Sequence, residues 1–232
     1  RYLKGKATMR IRFIPPGSLA RNLVYGFMKM LVTCWCKCTY KFEVHGKNNI
    51  PESGPAIIAP KHQYWTDIPL VACAFYNIQL NYVAKRELFH FPLIRQFLIA
   101  LGGIPLDRGT PIKSLDSFRH LTTLLKKKQY VVIFPEGTYY REVMGKGKSR
   151  LIKMILKFQE AENLPQPIPF IPVGVIYKKQ GIRTAVTISI GKPLFAGTEY
   201  EAQSFTHTIM GEIAHLSNLP MHSKNREQTS SL

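Results

Sequence analysis

Residues 130–138 (YVVIFPEGT) are the part of this 232-residue chain that says most about its fold class. Its first five residues form a continuous apolar run, which is typical of a strand buried on both faces of a sheet. The preceding residues, 114–128, carry their apolar side chains on one helical stripe and end in three lysines that suit the C-terminal end of a helix dipole. A helix leading into a fully buried strand is typical of a parallel sheet covered by helices.

The same alternation continues on both sides of residues 130–138. Further strands are predicted at 40–44, 56–59, 80–84, 170–177 and 185–190, and residues 104–106 are predicted to be short and extended. Further helices are predicted at about 65–75, at 87–101 with a break near Pro92, at 149–162 and at about 200–216. Strands that alternate with helices indicate an α/β fold, with a mixed, largely parallel sheet flanked by helices.

The N-terminal part of the chain is both basic and amphipathic. Of the formal net charge of +18, half lies in residues 1–50, which hold ten basic residues and one acidic residue. Residues 19–38 (LARNLVYGFMKMLVTCWCKC) are largely apolar, but Arg21, Lys29 and Lys37 interrupt them. A spanning helix needs about 20 mostly apolar residues, so these cations favour a helix that lies in the lipid headgroup region. The alternative is an amphipathic helix packed on its own domain.

This pattern predicts three parts: a basic amphipathic membrane-binding segment (1–39), an α/β domain (40–220) and a polar flexible tail (221–232). We therefore expect a monotopic protein on the cytoplasmic face of a membrane. Cys34, Cys36, Cys38 and Cys73 lack the paired knuckles of a zinc site. We interpret them as small apolar filler, which is compatible with a reducing compartment.

Polar residues suited to acid–base chemistry follow two of the predicted strands. His62 and Asp67 follow the strand at 56–59, and Glu136 follows the strand at 130–134. Loops at the carboxyl ends of parallel strands line the ligand crevice of an α/β sheet, so these side chains are expected to converge. With His62 in the loop and Asp67 in the first helical turn, the carboxylate can orient the imidazole as a general base. The alternative is a surface histidine followed by an aspartate that starts a helix.

Four motif blocks, in order, resemble those of the glycerolipid acyltransferases, and most closely those of the 1-acylglycerol-3-phosphate acyltransferase family. They are His62-x4-Asp67, GIPLDR at 103–108, FPEGT at 134–138 and IPV at 171–173. The N-terminal segment is also similar to that family's membrane-docking helices. The resemblance implies acyl transfer from acyl-CoA or acyl-carrier protein to the free hydroxyl of a lysophospholipid such as 1-acyl-sn-glycerol-3-phosphate. It implies no metal and no bound cofactor.

The resemblance further implies a role for individual residues. His62 would take the proton of the acceptor hydroxyl, and Asp67 would stabilise the resulting imidazolium, without an acyl-enzyme. Arg108 would grip the glycerol phosphate through its planar, permanently charged fork. Glu136 and Gly137 would shape the acceptor site next to the histidine, and Pro172 would help to build the acyl-donor side. The other implied substrate-binding positions are Gly103 and Thr138.

Two positions depart from the family pattern. Lys61 stands before the histidine, where Asn or Ser is usual. The third block commonly continues with Arg-Ser, whereas this chain continues with Tyr139 and Tyr140 and has Arg141 next. Arg141 and Lys148 are therefore candidates for the phosphate contact. The other interpretation is a different acceptor, either another lysolipid or a neutral glycerolipid.

The charge of +18 is also compatible with a nucleic-acid-binding protein. However, the chain has no zinc finger, helix-turn-helix pattern or aromatic-interleaved basic strand, and its most basic region is also apolar. A non-catalytic lipid-surface module gives no reason for the His-Asp and Pro-Glu-Gly blocks. The expected partners are an anionic membrane surface, a lysophospholipid and an acyl thioester, with acyl-carrier protein as a candidate donor and no nucleic acid.

Overall fold

The computed structural model describes residues 19–100, 102–106 and 115–221. The helices are α1 (Leu19–Thr39), α2 (Asp67–Ala74), α3 (Pro92–Ala100), α4 (Leu115–Lys126), α5 (Ser149–Ala161) and α6 (Ala202–Ser217). The strands are β1 (Tyr40–His45), β2 (Ala56–Pro60), β3 (Leu80–Lys85), β4 (Ile104–Leu106), β5 (Tyr130–Val132), β6 (Phe170–Gln180) and β7 (Arg183–Ile190). Short 3-10 helices lie at Lys47–Asn49, Arg86–His90 and Glu199–Glu201.

The described strands form one mixed sheet in the order β1-β7-β6-β2-β5-β3-β4. From β6 to β4 each neighbouring pair is parallel, whereas β7 runs antiparallel to β6 and parallel to β1. The predicted α/β architecture, with a mixed and largely parallel sheet, is confirmed. Because β2, β5 and β6 run in one direction, the loops that follow β2 and β5 leave the sheet at the same edge, beside the continuing β6.

Helices cover both faces of the sheet, and β2 shows why its sequence is apolar throughout. Ile57 and Ala59 pack into a core with residues of α4, α5 and α6. Ala56 and Ile58 pack into a second core with residues of α1 and α2. Successive side chains of a strand point to opposite faces, so a strand between two cores has no solvent-facing position.

Several predicted elements differ from the structure in their extent; for example, the strand predicted at 170–177 continues to Gln180. The helix predicted at 87–101 is a 3-10 turn, Arg86–His90, followed by α3, which begins at Pro92. Proline is favoured at the start of a helix because the first N–H groups have no partner within the helix. The strand predicted at 130–134 ends at Val132, although Ile133 still donates a hydrogen bond to the carbonyl of Ile58 (2.9 Å).

Several predictions concern residues that lie outside the described ranges. These residues are 1–18 of the membrane-binding segment, Arg108, and the predicted tail except Met221. The described part of the N-terminal segment is α1, whose Val32 and Cys36 pack into the second core. Within the ranges given above, no helix combines the length and apolar character needed to cross a membrane. The domain boundaries stay predictions.

Candidate active site

The site begins where β2 leaves the sheet. The N–H of Lys61 still donates to the carbonyl of Val173 in β6 (2.9 Å), and the chain then turns until α2 starts at Asp67. Pro69 lies in the first turn of α2, where a missing N–H breaks no helical hydrogen bond. This turn, residues 61–66, is here called the histidine turn, and it is held by β6 on one side and by the start of α2 on the other.

This turn brings His62 and Asp67 together, as the loop-and-helix hypothesis predicts. Nδ1 of His62 lies 3.2 Å from Oδ2 of Asp67. The same oxygen accepts the backbone N–H groups of Gln63 (2.5 Å) and Tyr64 (2.7 Å). Asp67 is fully buried. An ionised carboxylate can only accept hydrogen bonds, so Nδ1 carries the proton and Nε2 is left as the basic nitrogen of the ring.

Hydrogen bonds to Glu136 connect the histidine turn to the loop that follows β5. Oε2 of Glu136 accepts the backbone N–H of His62 (2.9 Å), and its Oε1 accepts Lys61 Nζ (2.6 Å) and the N–H of Gly145 (2.7 Å). Lys61 also donates to the carbonyl of Tyr140 (2.8 Å). Burial lowers the pKa of Lys61, and the Glu136 carboxylate opposes that shift. Glu136 thus lies beside the histidine turn and contacts its backbone, with both oxygens already engaged by protein groups.

Two aromatic rings enclose the imidazole of His62. Phe134 stacks on it with ring centroids 3.9 Å apart and planes at 25°. Tyr139 lies at 4.2 Å and 56° and is half exposed. Only 10% of the His62 side chain is exposed, and Nε2 makes no hydrogen bond within the described ranges. The imidazole is therefore largely shielded from solvent, by a ring of the third motif block and by the residue that directly follows that block.

The other predicted residues of the third block lie around this cluster. Gly137 has φ of +71°, a left-handed conformation that glycine adopts without strain, and its N–H donates to the carbonyl of Phe134. Thr138 is exposed. Arg141 is exposed and lies over the ring of Tyr64, with 4.9 Å between guanidinium carbon and centroid. Lys148, just before α5, is also exposed, so both cations reach solvent on the loops that form the site.

Three predicted residues are not part of the His62 cluster. Pro172 lies in β6 opposite Ala59, within the sheet and before the turn. Gly103 is buried at the start of β4, and β3 and β5 lie between that strand and β2. Arg108 lies outside the described residues. In the structure, residues of the first and third motif blocks are therefore in direct contact. The fourth block lies in β6 and contacts the start of the turn at Lys61.

Sequence reasoning missed two contacts of the site. It did not pair Lys61 with Glu136, although two buried charges in converging loops require a partner. It also missed Tyr177, whose hydroxyl lies 2.5 Å from Oδ1 of Asp67. Its signal is a polar group four positions beyond the fourth block, on a strand that is apolar up to that point.

A buried aspartate that orients a histidine at the edge of a mostly parallel sheet matches the site expected for an acyltransferase. The family described as Acyltransferase matches residues 41–176, more than half of the chain. The chain belongs to this family.

The chain is also similar to curated proteins named 1-acyl-sn-glycerol-3-phosphate acyltransferase. The protein of that name from Bacillus subtilis (strain 168) is 35% identical over 96 residues, which cover 41% of this chain and 47% of that protein. Its namesake from Pseudomonas aeruginosa is 33% identical over 120 residues, 47% of this chain and 46% of that one. The matched stretch thus spans just under half the length of these relatives.

A solved structure has the same fold. The crystal structure of the 1-acyl-sn-glycerophosphate (LPA) acyltransferase PlsC from Thermotoga maritima superposes with a TM-score of 0.60. The superposition covers 84% of this chain and 79% of that chain, at 20% sequence identity. At this identity the likeness establishes the fold, and the chemistry has to be argued from the site.

Proposed function

We propose that this chain transfers a fatty acyl group from an acyl thioester to the free hydroxyl of a lysophospholipid, with 1-acyl-sn-glycerol-3-phosphate as the first candidate acceptor and phosphatidic acid as product. The observation that carries the proposal is the contact between His62 and the buried Asp67, which leaves Nε2 basic. Curated relatives named for this reaction support the acceptor.

The proposed reaction proceeds by direct attack. Nε2 of His62 removes the proton of the acceptor hydroxyl while that oxygen bonds to the thioester carbonyl carbon. The tetrahedral intermediate then collapses, the C–S bond breaks, and the leaving thiolate takes the proton from the imidazolium. The negative charge of Asp67 stabilises the imidazolium between these two steps. The products are an ester and a free thiol, and the steps require no acyl-enzyme, metal or resident cofactor.

The cations of the site loops support a phosphate-bearing acceptor. Arg141 and Lys148 are exposed on the loop that also carries Glu136, and neither forms an ion pair with a described residue. A guanidinium or ammonium group at this position suits a phosphate monoester. Together with Arg108 these residues are the proposed headgroup contacts. The donor, acyl-CoA or acyl-carrier protein, has to be identified by assay.

The outer face of α1 supports a membrane surface as the partner. Leu19, Leu23, Phe27 and Met30 recur at helical spacing, and each is more than half exposed, up to 75%. Trp35 near the end of α1 stacks on Trp65 of the histidine turn, at 5.7 Å between centroids. An amphipathic helix with basic flanks binds an anionic lipid surface. The apolar face of α1 and the histidine turn would then meet the same membrane, which would hold the lysophospholipid acceptor.

The proposed location is the cytoplasmic face of that membrane. All four cysteines are free thiols, a state that a reducing compartment maintains. Two of them, Cys34 and Cys38, are exposed on α1. Free thiols on the surface that approaches the lipid fit the cytoplasmic side better than an oxidising one.

A substrate panel tests the proposal. The protein is mixed with vesicles, an acyl-CoA or an acyl-carrier-protein thioester, and lysophosphatidic acid, lysophosphatidylcholine or monoacylglycerol, and product esters are identified by mass. We expect the ester of lysophosphatidic acid, reduced at least tenfold by Arg108→Ala or Arg141→Ala. The matched control is Lys179→Ala, an exposed cation on the distal part of β6. A monoacylglycerol product unaffected by these variants favours the neutral acceptor, and no ester from any acceptor refutes the proposal.

A further inference from the structure

Strand β6 continues past the end of β2 and supports the histidine turn. Pro60, the last residue of β2, pairs with Val173, after which β6 runs on to Gln180 with β7 as its described partner. On the side that β2 has left, the carbonyl of Val175 accepts a hydrogen bond from Gln63 Nε2 (2.8 Å). The extension of β6 therefore takes the place of β2 as the neighbour of residues 61–67.

Tyr177 connects this extension to the site. Its hydroxyl lies 2.5 Å from Oδ1 of Asp67 and 3.1 Å from Oγ1 of Thr66. Because the carboxylate can only accept, the phenol donates to Asp67 and its oxygen accepts from the Thr66 hydroxyl. Burial and the nearby Asp67 charge raise the pKa of Tyr177, so it remains a protonated donor throughout the neutral range.

The phenol and the imidazole use different oxygens of the same carboxylate. Oδ2 accepts from His62 Nδ1 and from two backbone N–H groups, while Oδ1 accepts from Tyr177. Donors on both oxygens set the plane of the carboxylate and the direction in which Oδ2 points. The ring of Tyr64 packs edge-on against Tyr177, at 5.0 Å and 80°, which limits movement of the phenol.

The geometry points to Tyr177 as a positioning residue of the acyl transfer, which holds Asp67 in the orientation that stabilises the imidazolium of His62. This inference rests on the proposed function, because it assigns Tyr177 a part in that reaction. Tyr177 does not exchange its proton and touches no reacting atom. Without its hydroxyl, Oδ1 of a fully buried carboxylate loses its described donor, and the carboxylate turns toward another donor or admits water.

Tyr177→Phe tests the inference, with Tyr130→Phe as its matched control. Tyr130 also donates its hydroxyl to an acceptor, the carbonyl of Pro51 (2.6 Å), but from the amino end of β5. In Tyr177→Phe we expect kcat to fall about tenfold, a typical effect of losing a hydrogen bond to a charged group. KM for either substrate should stay within about twofold, because binding groups are unchanged. In Tyr130→Phe, kcat should remain that of the wild type.

The pH profile separates positioning from a loss of general stability. A carboxylate turned away from His62 stabilises the imidazolium less, so the acidic limb of the kcat profile should move to lower pH in Tyr177→Phe only. An unchanged kcat and limb, or a limb moved to higher pH, overturns the inference. If Tyr177→Phe does not fold, Thr66→Val replaces it, with an expected fall of about threefold and the same direction of shift; unchanged kinetics there overturns the inference as well. A wild-type protein without activity refutes the proposed function instead.

Discussion

Asp67 serves two purposes at the level of the single residue. Its Oδ2 accepts the backbone N–H groups of Gln63 and Tyr64, which stabilises the histidine turn. The same oxygen contacts Nδ1 of His62 and orients the ring. Its place in the first turn of α2 also sets its charge against the positive end of the helix. A substitution that removes this oxygen therefore affects both the charge next to the imidazole and the turn, whereas asparagine keeps an oxygen that can accept the two N–H groups and removes only the charge.

Asp67→Asn should lower kcat roughly 10³-fold, since the variant removes the charge that stabilises the imidazolium and can invert the imidazole tautomer. The measurement is initial rate of ester formation under saturating substrates. Asp116→Asn is the matched control, because Asp116 also lies in the first turn of a helix, α4, but is exposed and pairs with Arg119. Similar rates for both variants would contradict the role given to Asp67.

The partly buried Tyr177 makes the stability of the folded protein depend on pH in alkaline solution. Burial and the Asp67 charge raise the pKa of Tyr177 in the folded state. A raised pKa means that the folded chain holds a proton that the unfolded chain releases above pH 10.0, the ordinary value for tyrosine. The contribution of Tyr177 is therefore complete below that pH and is lost as pH rises above it.

The corresponding test compares free energies of unfolding in urea at about pH 8 and about pH 10.5. The wild type should lose more stability than Tyr177→Phe over this interval. Lys61, whose pKa is lowered by burial, acts in the opposite direction, but it is present in both proteins and cancels in the difference. Equal losses of stability in the two proteins would show that folding does not raise the pKa of Tyr177.

At the scale of elements, the ion pair of Lys61 and Glu136 joins the loop after β2 to the loop after β5. Both side chains are almost completely buried, at 0% and 1% exposure, with 2.6 Å between Nζ and Oε1. Removal of one member leaves an uncompensated charge in the interior. This lowers the free energy of unfolding strongly, even where the intact pair adds little net stability.

Lys61→Met should therefore lower the free energy of unfolding by about 3–5 kcal/mol. Lys126→Met breaks an exposed pair with Glu162 (2.8 Å) and should cost less than about 1 kcal/mol. Urea denaturation measures both, and a Lys61→Met protein as stable as Lys126→Met would contradict the buried pairing.

The elements could be predicted from the sequence because their hydrophobic patterns are strong. A run such as residues 56–59 is apolar at every position since both faces of β2 are buried. The contact of His62 with Asp67 was also predictable, because it lies within one loop and one helical turn. The contacts of Glu136 with Lys61 and of Tyr177 with Asp67 depend on the register of β5 and β6 against β2. A hydrophobic pattern does not specify that register.

At the scale of the whole molecule, a net charge of +18 and the exposed apolar side chains on the outer face of α1 both suit contact with an anionic membrane surface. The inner face of α1 packs on the domain through residues such as Val32 and Cys36, so the packed-helix alternative holds for that face. The outer face leaves large apolar side chains in solvent. Exposure of such a surface to water is unfavourable, and its insertion into a lipid headgroup layer lowers the free energy of the system.

Phe27→Glu/Met30→Glu should weaken binding to vesicles at least tenfold, because both side chains would otherwise bury apolar area in the lipid. Binding is measured by sedimentation with phosphatidylglycerol-containing vesicles and with phosphatidylcholine vesicles, and the wild type should prefer the anionic ones. Ile182→Glu is the control, since Ile182 is fully exposed at the β6–β7 turn. Undiminished binding by the double variant would exclude α1 as the docking element.

His62 is the proposed general base of the acyl transfer, and the function of the whole molecule depends on it. The direct test compares His62→Ala with His45→Ala by the mass of ester formed from acyl thioester and lysophosphatidic acid. His45 also lies near a carboxylate, 3.8 Å from Glu43, but both are exposed on the edge strand β1. Loss of a general base should reduce kcat by about 10²–10⁴-fold in His62→Ala, with wild-type rates in His45→Ala. Acyl transfer by His62→Ala at the wild-type rate would contradict the account.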